Sequence, residues 1–162
     1  MNYSAYFKFI VVILLGSVIS CLSQPVAAQS SSDIAAIEHF IANQAKRKNG
    51  SEYEEARKIM MSDLNHDGKE DAVVLYTLEG FNGKNNYRQY LAIFIRSRDG
   101  RLRYVTQQVV GGKLLRIVEL ESVKDGKINF QTSEYLPTDA ACCPSGKGHA
   151  LIVFKRGRLK EV

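Results

Sequence analysis

The sequence predicts an α+β domain: an antiparallel β-meander of six to seven strands, covered by one N-terminal amphipathic helix. Three observations carry that prediction. Apolar residues fall at helical spacing between residues 33 and 48. From residue 72 onward, short runs of Val, Ile, Leu, Tyr and Phe recur. Between those runs stand Gly-containing pairs of the kind that close tight turns.

Residues 1–28 precede the domain and read as a signal peptide. Lys8 is their only charge, and an apolar run extends from Phe9 to Ile19. A spanning helix takes about 20 apolar residues, so this run is short for one. Pro25 and the small residues Val26 and Ala28 suit a signal peptidase cutting after Ala28. A rival is Val18-Ile19-Ser20-Cys21, which resembles a weak lipobox; Cys21 would then be lipidated and become the first mature residue. Left uncleaved, the segment would act as an anchor. Either processing route exports the chain, as a periplasmic or secreted protein or as a membrane-anchored lipoprotein. Residues 29–162 then form a single domain, with 29–32 as a flexible polar leader.

The helix opens at Ser32-Asp33. Ile34, Ile37, Phe40 and Ile41 share one face, and Lys46, Arg47 and Lys48 occupy the last turn, where cations suit the helix dipole. Asn49-Gly50 stops it. Residues 52–61 are ambiguous: Glu54–Lys58 is compatible with more helix, whereas Ile59-Met60-Met61 reads as a strand end. Six apolar runs follow, at 72–78, 89–95, 102–110, 114–123, 127–133 and 150–155. Asn82-Gly83, Asp99-Gly100, Gly111-Gly112, Asp125-Gly126 and Arg156-Gly157 separate them, so the runs read as hairpins in series.

The most informative stretch is Asp63-Leu64-Asn65-His66-Asp67-Gly68-Lys69-Glu70-Asp71, which reads D-x-N-x-D-G-x-x-D. Asp63, Asn65, Asp67 and Asp71 present side-chain oxygens, Gly68 permits a sharp turn, and Lys69 can add its carbonyl. Hard cations want several oxygen ligands, and three clustered carboxylates need a neutralising charge, so the pattern points to Ca²⁺. A metal-free Asn/Asp/Gly turn is the plainer alternative. The loop resembles the first nine positions of EF-hand and dockerin loops, and the calcium loops of FG-GAP-type repeats. It departs from the EF-hand at Val74, where a bidentate Glu would stand, and a strand follows in place of a helix. The expected form is therefore strand–loop–strand, ending at Asp71.

More widely, Asp63 to Gly80, Tyr90–Phe94, Val110-Gly111-Gly112 and Asp139–Ser145 resemble a family of small exported bacterial proteins and lipoproteins of unknown function. That resemblance implies export and a calcium-type loop. It implies no activity.

Two further clusters carry chemistry. Cys142-Cys143-Pro144-Ser145 holds the only thiols after Cys21. In an oxidising compartment they read as a vicinal disulfide, as a thiol-exchange site, or, with His149, as an incomplete soft-metal site. Arg96, Arg98, Arg101 and Arg103 flank Asp99-Gly100. In a two-residue hairpin all four would share one face and invite an anionic partner; the plainer reading is a solvated hairpin tip. Lys155, Arg156, Arg158 and Lys160 form a second basic turn.

Composition bounds the rest. The 162 residues are 45% hydrophobic and 24% charged, an ordinary globular balance. The net charge of +5 is too mild to imply nucleic acid. It is unevenly spread: residues 29–83 hold 6 Lys/Arg and 10 Asp/Glu, and residues 84–162 hold 15 and 7. His39, His66 and His149 form no Ser-His-Asp or H-E-x-x-H arrangement, so no catalytic residue is expected. The sequence thus predicts an exported, calcium-stabilised, non-enzymatic envelope protein that binds an anionic ligand or an envelope protein. The alternative is a periplasmic thiol-redox protein using Cys142-Cys143.

Overall fold

A computed structural model describes residues 30–162. The expected signal peptide, its cleavage site after Ala28 and the lipidation candidate Cys21 lie outside the described residues. Ser30 caps the first helix: its hydroxyl accepts from the Asp33 N–H at 3.2 Å. The helix, α1, therefore starts earlier than the sequence indicates, at Ser31, and runs to Lys48. Ser30, Ser31 and Ser32 are its cap and first turn rather than a flexible leader. At the other end Asn49 adopts the left-handed conformation, and its N–H returns to the carbonyls of Ala45 and Lys46. Gly50 follows because a Cβ there would stand 2.7 Å from the Glu79 carbonyl.

Nine strands follow among the described residues: β1 Ser51–Glu52, β2 Lys58–Ser62, β3 Asp71–Glu79, β4 Tyr87–Arg96, β5 Leu102–Gly112, β6 Arg116–Lys124, β7 Lys127–Glu134, β8 Gly146–Lys155 and β9 Arg158–Glu161. Every pairing is antiparallel, and from β3 onward each strand pairs with the next. The count exceeds six to seven for two reasons. The ambiguous stretch 52–61 is a broken edge strand, whose halves β1 and β2 both pair with β3 across a 3₁₀ turn at Glu54–Ala56. The polar β9 is defined by its register with β8 rather than by apolar residues.

The meander folds back on itself, giving three layers. On one face of β3 and β4, Val74, Tyr76, Ala92 and Phe94 pack against Ile37 and Ile41 of α1. On the other face, Val73, Leu75, Leu91 and Ile93 meet Val118, Leu120, Phe130 and Ile152 from β6, β7 and β8. Strands covered on both sides need no polar face, which is why 72–78 reads as an unbroken apolar run. In β6, β7 and β8, by contrast, buried residues alternate with more exposed ones, as for a sheet with one wet face.

The fold-back is at β5–β6, which share one register pair, Gly112 with Arg116. Buried Gln89 takes over the missing ladder. Its Nε2 donates to the Val118 carbonyl at 3.0 Å and its Oε1 accepts from the Val118 N–H at 2.8 Å. Gly111 leaves room for that amide, since a Cβ would stand 2.8 Å from the Arg116 carbonyl and collide with Gln89. Two register shifts along β4–β5 skip Val105 and Val110, and such bulges add the bend the fold needs. No helix among the described residues is long and apolar enough to cross a membrane.

Candidate functional site

The stretch 63–70 is the loop of the β2–β3 hairpin, closing just beyond the Ser62–Asp71 register pair. It has the strand–loop–strand form that the sequence indicates. Its side chains fold inward onto their own backbone. The Asp67 N–H donates to Asp63 Oδ1 at 3.2 Å and to Asn65 Oδ1 at 2.9 Å. The Gly68 N–H donates to Asp63 Oδ2 at 2.9 Å, and the Lys69 N–H to Asp67 Oδ1 at 3.0 Å. Oxygens of Asp63 and Asn65 thus meet at one nitrogen. His66 takes the left-handed backbone that turns the loop (φ 62°). Burial pushes the Asp63 carboxyl up, but the N–H bonds from Gly68 and Asp67 outweigh it and leave it below its ordinary range.

Asp71 sits elsewhere. It is fully buried at the start of β3. Its Oδ2 accepts from the Leu64 N–H at 2.9 Å and its Oδ1 from the Arg96 N–H at 2.8 Å. It ties the loop to the end of β4. Burial raises its carboxyl, and the charges of Asp67 and Asp63 add to the rise. Among the described residues no three His, Cys, Asp or Glu side chains are grouped as a metal site. With Asp71 turned inward, half-buried Asp63 and exposed Asp67 flank Asn65 on the loop, and Glu70 is exposed beyond them. The Lys69 ammonium points away, to the Ser97 carbonyl at 3.4 Å.

The four arginines do not share a face. The turn between β4 and β5 spans five residues, 97–101, and the ladder ends at Arg96–Leu102. The Ser97 N–H donates to the Arg101 carbonyl, the Gly100 N–H to the Ser97 carbonyl, and Asp99 accepts from Ser97, Arg101 and Arg103. The Ser97 hydroxyl is the main cause of an Asp99 carboxyl held at about 2. The longer turn places Arg103 opposite Ile95 instead of Arg96, so the two project from opposite faces. Arg96 is a structural junction. It grips Asp33 with two bonds, at 2.8 and 3.1 Å, and donates to the carbonyls of Glu70 and Gly100, both at 2.8 Å. That grip holds the Asp33 carboxyl below its usual range. Arg98 and Arg101 remain exposed.

The second basic turn has the geometry expected of the first. Arg156-Gly157 is a two-residue turn with both φ values positive, 52° and 76°. Lys155 therefore stands opposite Arg158, and Val153 opposite Lys160. A cleft of about 600 Å³ separates this turn from the 63–70 loop, with Asn65, His66, Val105, Asp125 and Arg156 among its walls. Next to it lies an open groove of about 890 Å³, whose lining holds Lys155, Arg156, Arg158 and Lys160 but no Asp or Glu. Composition flagged these cations; only the register shows that they face one another.

Cys142 and Cys143 are joined as a vicinal disulfide on the exposed segment between β7 and β8. With both sulfurs bonded to each other, neither is a thiolate ligand, so the soft-metal reading with His149 lacks its donors. His149 stands opposite Gln131 within the sheet. Asp139 closes the segment: its carboxylate accepts from the N–H groups of Leu136 and Ser145 at 2.8 Å and from the Ser145 hydroxyl at 2.7 Å. Those bonds lower its carboxyl. Sequence reading passed over this role, although a Pro-Thr-Asp turn signal at 137–139 marks it.

Comparison with known proteins finds no match to a family model, to a curated protein or to a solved structure.

Proposed function

We propose that the protein is an exported, calcium-stabilised, non-enzymatic β-domain of the cell envelope that binds an anionic or protein partner. The observation that carries the calcium reading is the convergence of Asp63, Asn65 and Asp67 oxygens on the backbone of residues 67–69. Two carboxylates, an amide oxygen and the Lys69 carbonyl make a hard-oxygen donor set of the kind Ca²⁺ takes. Asp71 supports this set by fixing both ends of the loop. The ion's charge would relieve the repulsion among three neighbouring carboxylates. Loops of this kind in extracellular modules bind in the range of about 10⁻⁴–10⁻³ M.

Thermal and denaturant melts with calcium test the reading. At about 10 mM Ca²⁺ the stabilisation expected from that affinity is about 1.4–2.7 kcal/mol. Asp67→Ala abolishes the increment. An unchanged melt in chelator, with a silent Asp67→Ala, refutes calcium binding. Export is read from the mature N-terminus, expected at Gln29 or at a lipidated Cys21.

The exposed Cys142–Cys143 disulfide favours a second reading, thiol exchange. Thiol counting under native conditions separates the two. Rapid exchange with glutathione supports the redox protein; an inert pair supports the binding module.

A further inference from the structure

We propose that the β8–β9 hairpin is a docking face for an anionic phospholipid surface. The inference rests on the envelope-binding reading above and names its partner. The two-residue turn sets Lys155 directly across from Arg158 and places Lys160 on the same face, with Arg156 at the tip. Like charges placed opposite each other destabilise a sheet unless an anion lies between them.

Among the described residues no carboxylate stands within ion-pair distance of these four cations. Arg57, Arg96, Arg103 and Arg116 each reach a carboxylate at 3.2 Å or less. Among the described residues Lys155, Arg156, Arg158 and Lys160 form no ion pair. Glu161, the acid on the same strand, stands opposite Ile152 on the other face, and both its oxygens are taken by Arg116 at 2.7 Å. Asp125 lines the neighbouring cleft without bridging to Lys155 or Arg156.

The shape selects a surface over a small anion. The four cations lie along both strands of the hairpin and line one open groove, not an enclosed pocket. Beside them on the same face lies the partly exposed Val153, with Val162 68% exposed beyond. Long cationic stems over apolar residues, heads outward, suit an interface of headgroups above acyl chains. β9 has one strand partner, so this face lies at the rim of the sheet, where a flat surface can reach it.

Vesicle co-sedimentation of the full chain carrying Cys21→Ser tests this, in chelator throughout, so that the outcome is independent of the calcium loop. The readout is the ratio of binding to phosphatidylglycerol/phosphatidylcholine vesicles over binding to phosphatidylcholine alone, which cancels any contribution from the apolar N-terminal segment. The ratio should be well above one at about 0.1 M salt and collapse at about 1 M, where the Debye length is about 3 Å. Each cation removed should lower it about fivefold. Lys155→Gln/Arg156→Asn/Arg158→Gln/Lys160→Gln should therefore lower it several hundredfold while leaving the melt intact, since Asn tolerates the left-handed turn position. Arg98→Gln/Arg101→Gln, which removes exposed cations from the other turn, should leave it unchanged. A ratio near one overturns the proposal. So does an unaffected quadruple variant, an equal loss in the Arg98/Arg101 variant, or displacement by millimolar inorganic phosphate, which would mark a small-anion site.

Discussion

The turn after β4 and the turn after β8 carry four cations each, yet their surroundings differ. In the first, a five-residue turn sends Arg96 toward the helix, where Asp33 receives it, and Arg103 toward Asp99. In the second, a two-residue turn keeps Lys155, Arg158 and Lys160 on one face, and among the described residues none of them forms an ion pair. The number of basic residues is the same. Turn length decides which face each side chain takes, and the fold decides whether an acid waits there. The first cluster holds the molecule together at the end where α1, the 63–70 loop and β4 meet. The second is free to meet something else.

The comparison breaks most sharply at Arg96. Arg96→Ala leaves Asp33, 5% exposed, without its partner and abandons the Glu70 and Gly100 carbonyls. Denaturant unfolding should show a loss of about 3–5 kcal/mol. Neutralising all four cations of the β8–β9 turn should change stability by less than about 0.5 kcal/mol, or raise it. Asp71→Ala probes the same junction. It orphans the buried Leu64 N–H and the partly buried Arg96 N–H, and should cost about 3 kcal/mol by the same measurement.

pH sharpens the contrast next. The Asp33 carboxyl is lowered in the fold, so its contribution is complete above the unfolded value of about 3.9 and lost as pH falls through the lower folded value. Asp71 has the opposite sign. Its carboxyl is raised by burial, so its charge opposes folding at neutral pH, and that opposition is relieved as pH falls through the raised value. An acid titration of stability should therefore show a steeper loss below about pH 4 in the parent than in Arg96→Ala, whose Asp33 no longer has a partner to lose. The smallest effect belongs to Arg103→Ala. Its pair with Asp99 is exposed on both sides and spans i,i+4, so unfolding free energy should change by less than about 0.5 kcal/mol.

Much of this is legible in the sequence. Ile37 and Ile41, four residues apart, marked the helix face that meets β3 and β4, and both are buried there. The Asp/Asn/Gly spacing marked a hairpin loop ending at the strand that Asp71 begins. Strands whose pairing is carried by backbone alone stayed hidden: β1 and β9 are polar and short, and nothing in their side chains signals a ladder. The spacing offers Asp71 as a ligand but does not show its burial or its bonds to the Leu64 and Arg96 N–H groups, the latter 25 residues away.

The sequence by itself determined the periodicities, the turn chemistry and the uneven distribution of charge, because each depends on neighbours within a few residues. The tertiary structure decided which charges are spent. Arg96 and Asp33 are 63 residues apart and meet only because β4 packs under α1. Lys155 and Arg158 face each other because a two-residue turn and a ladder put them in register. A charge's partner is set by distance in space, and folding alone fixes that distance.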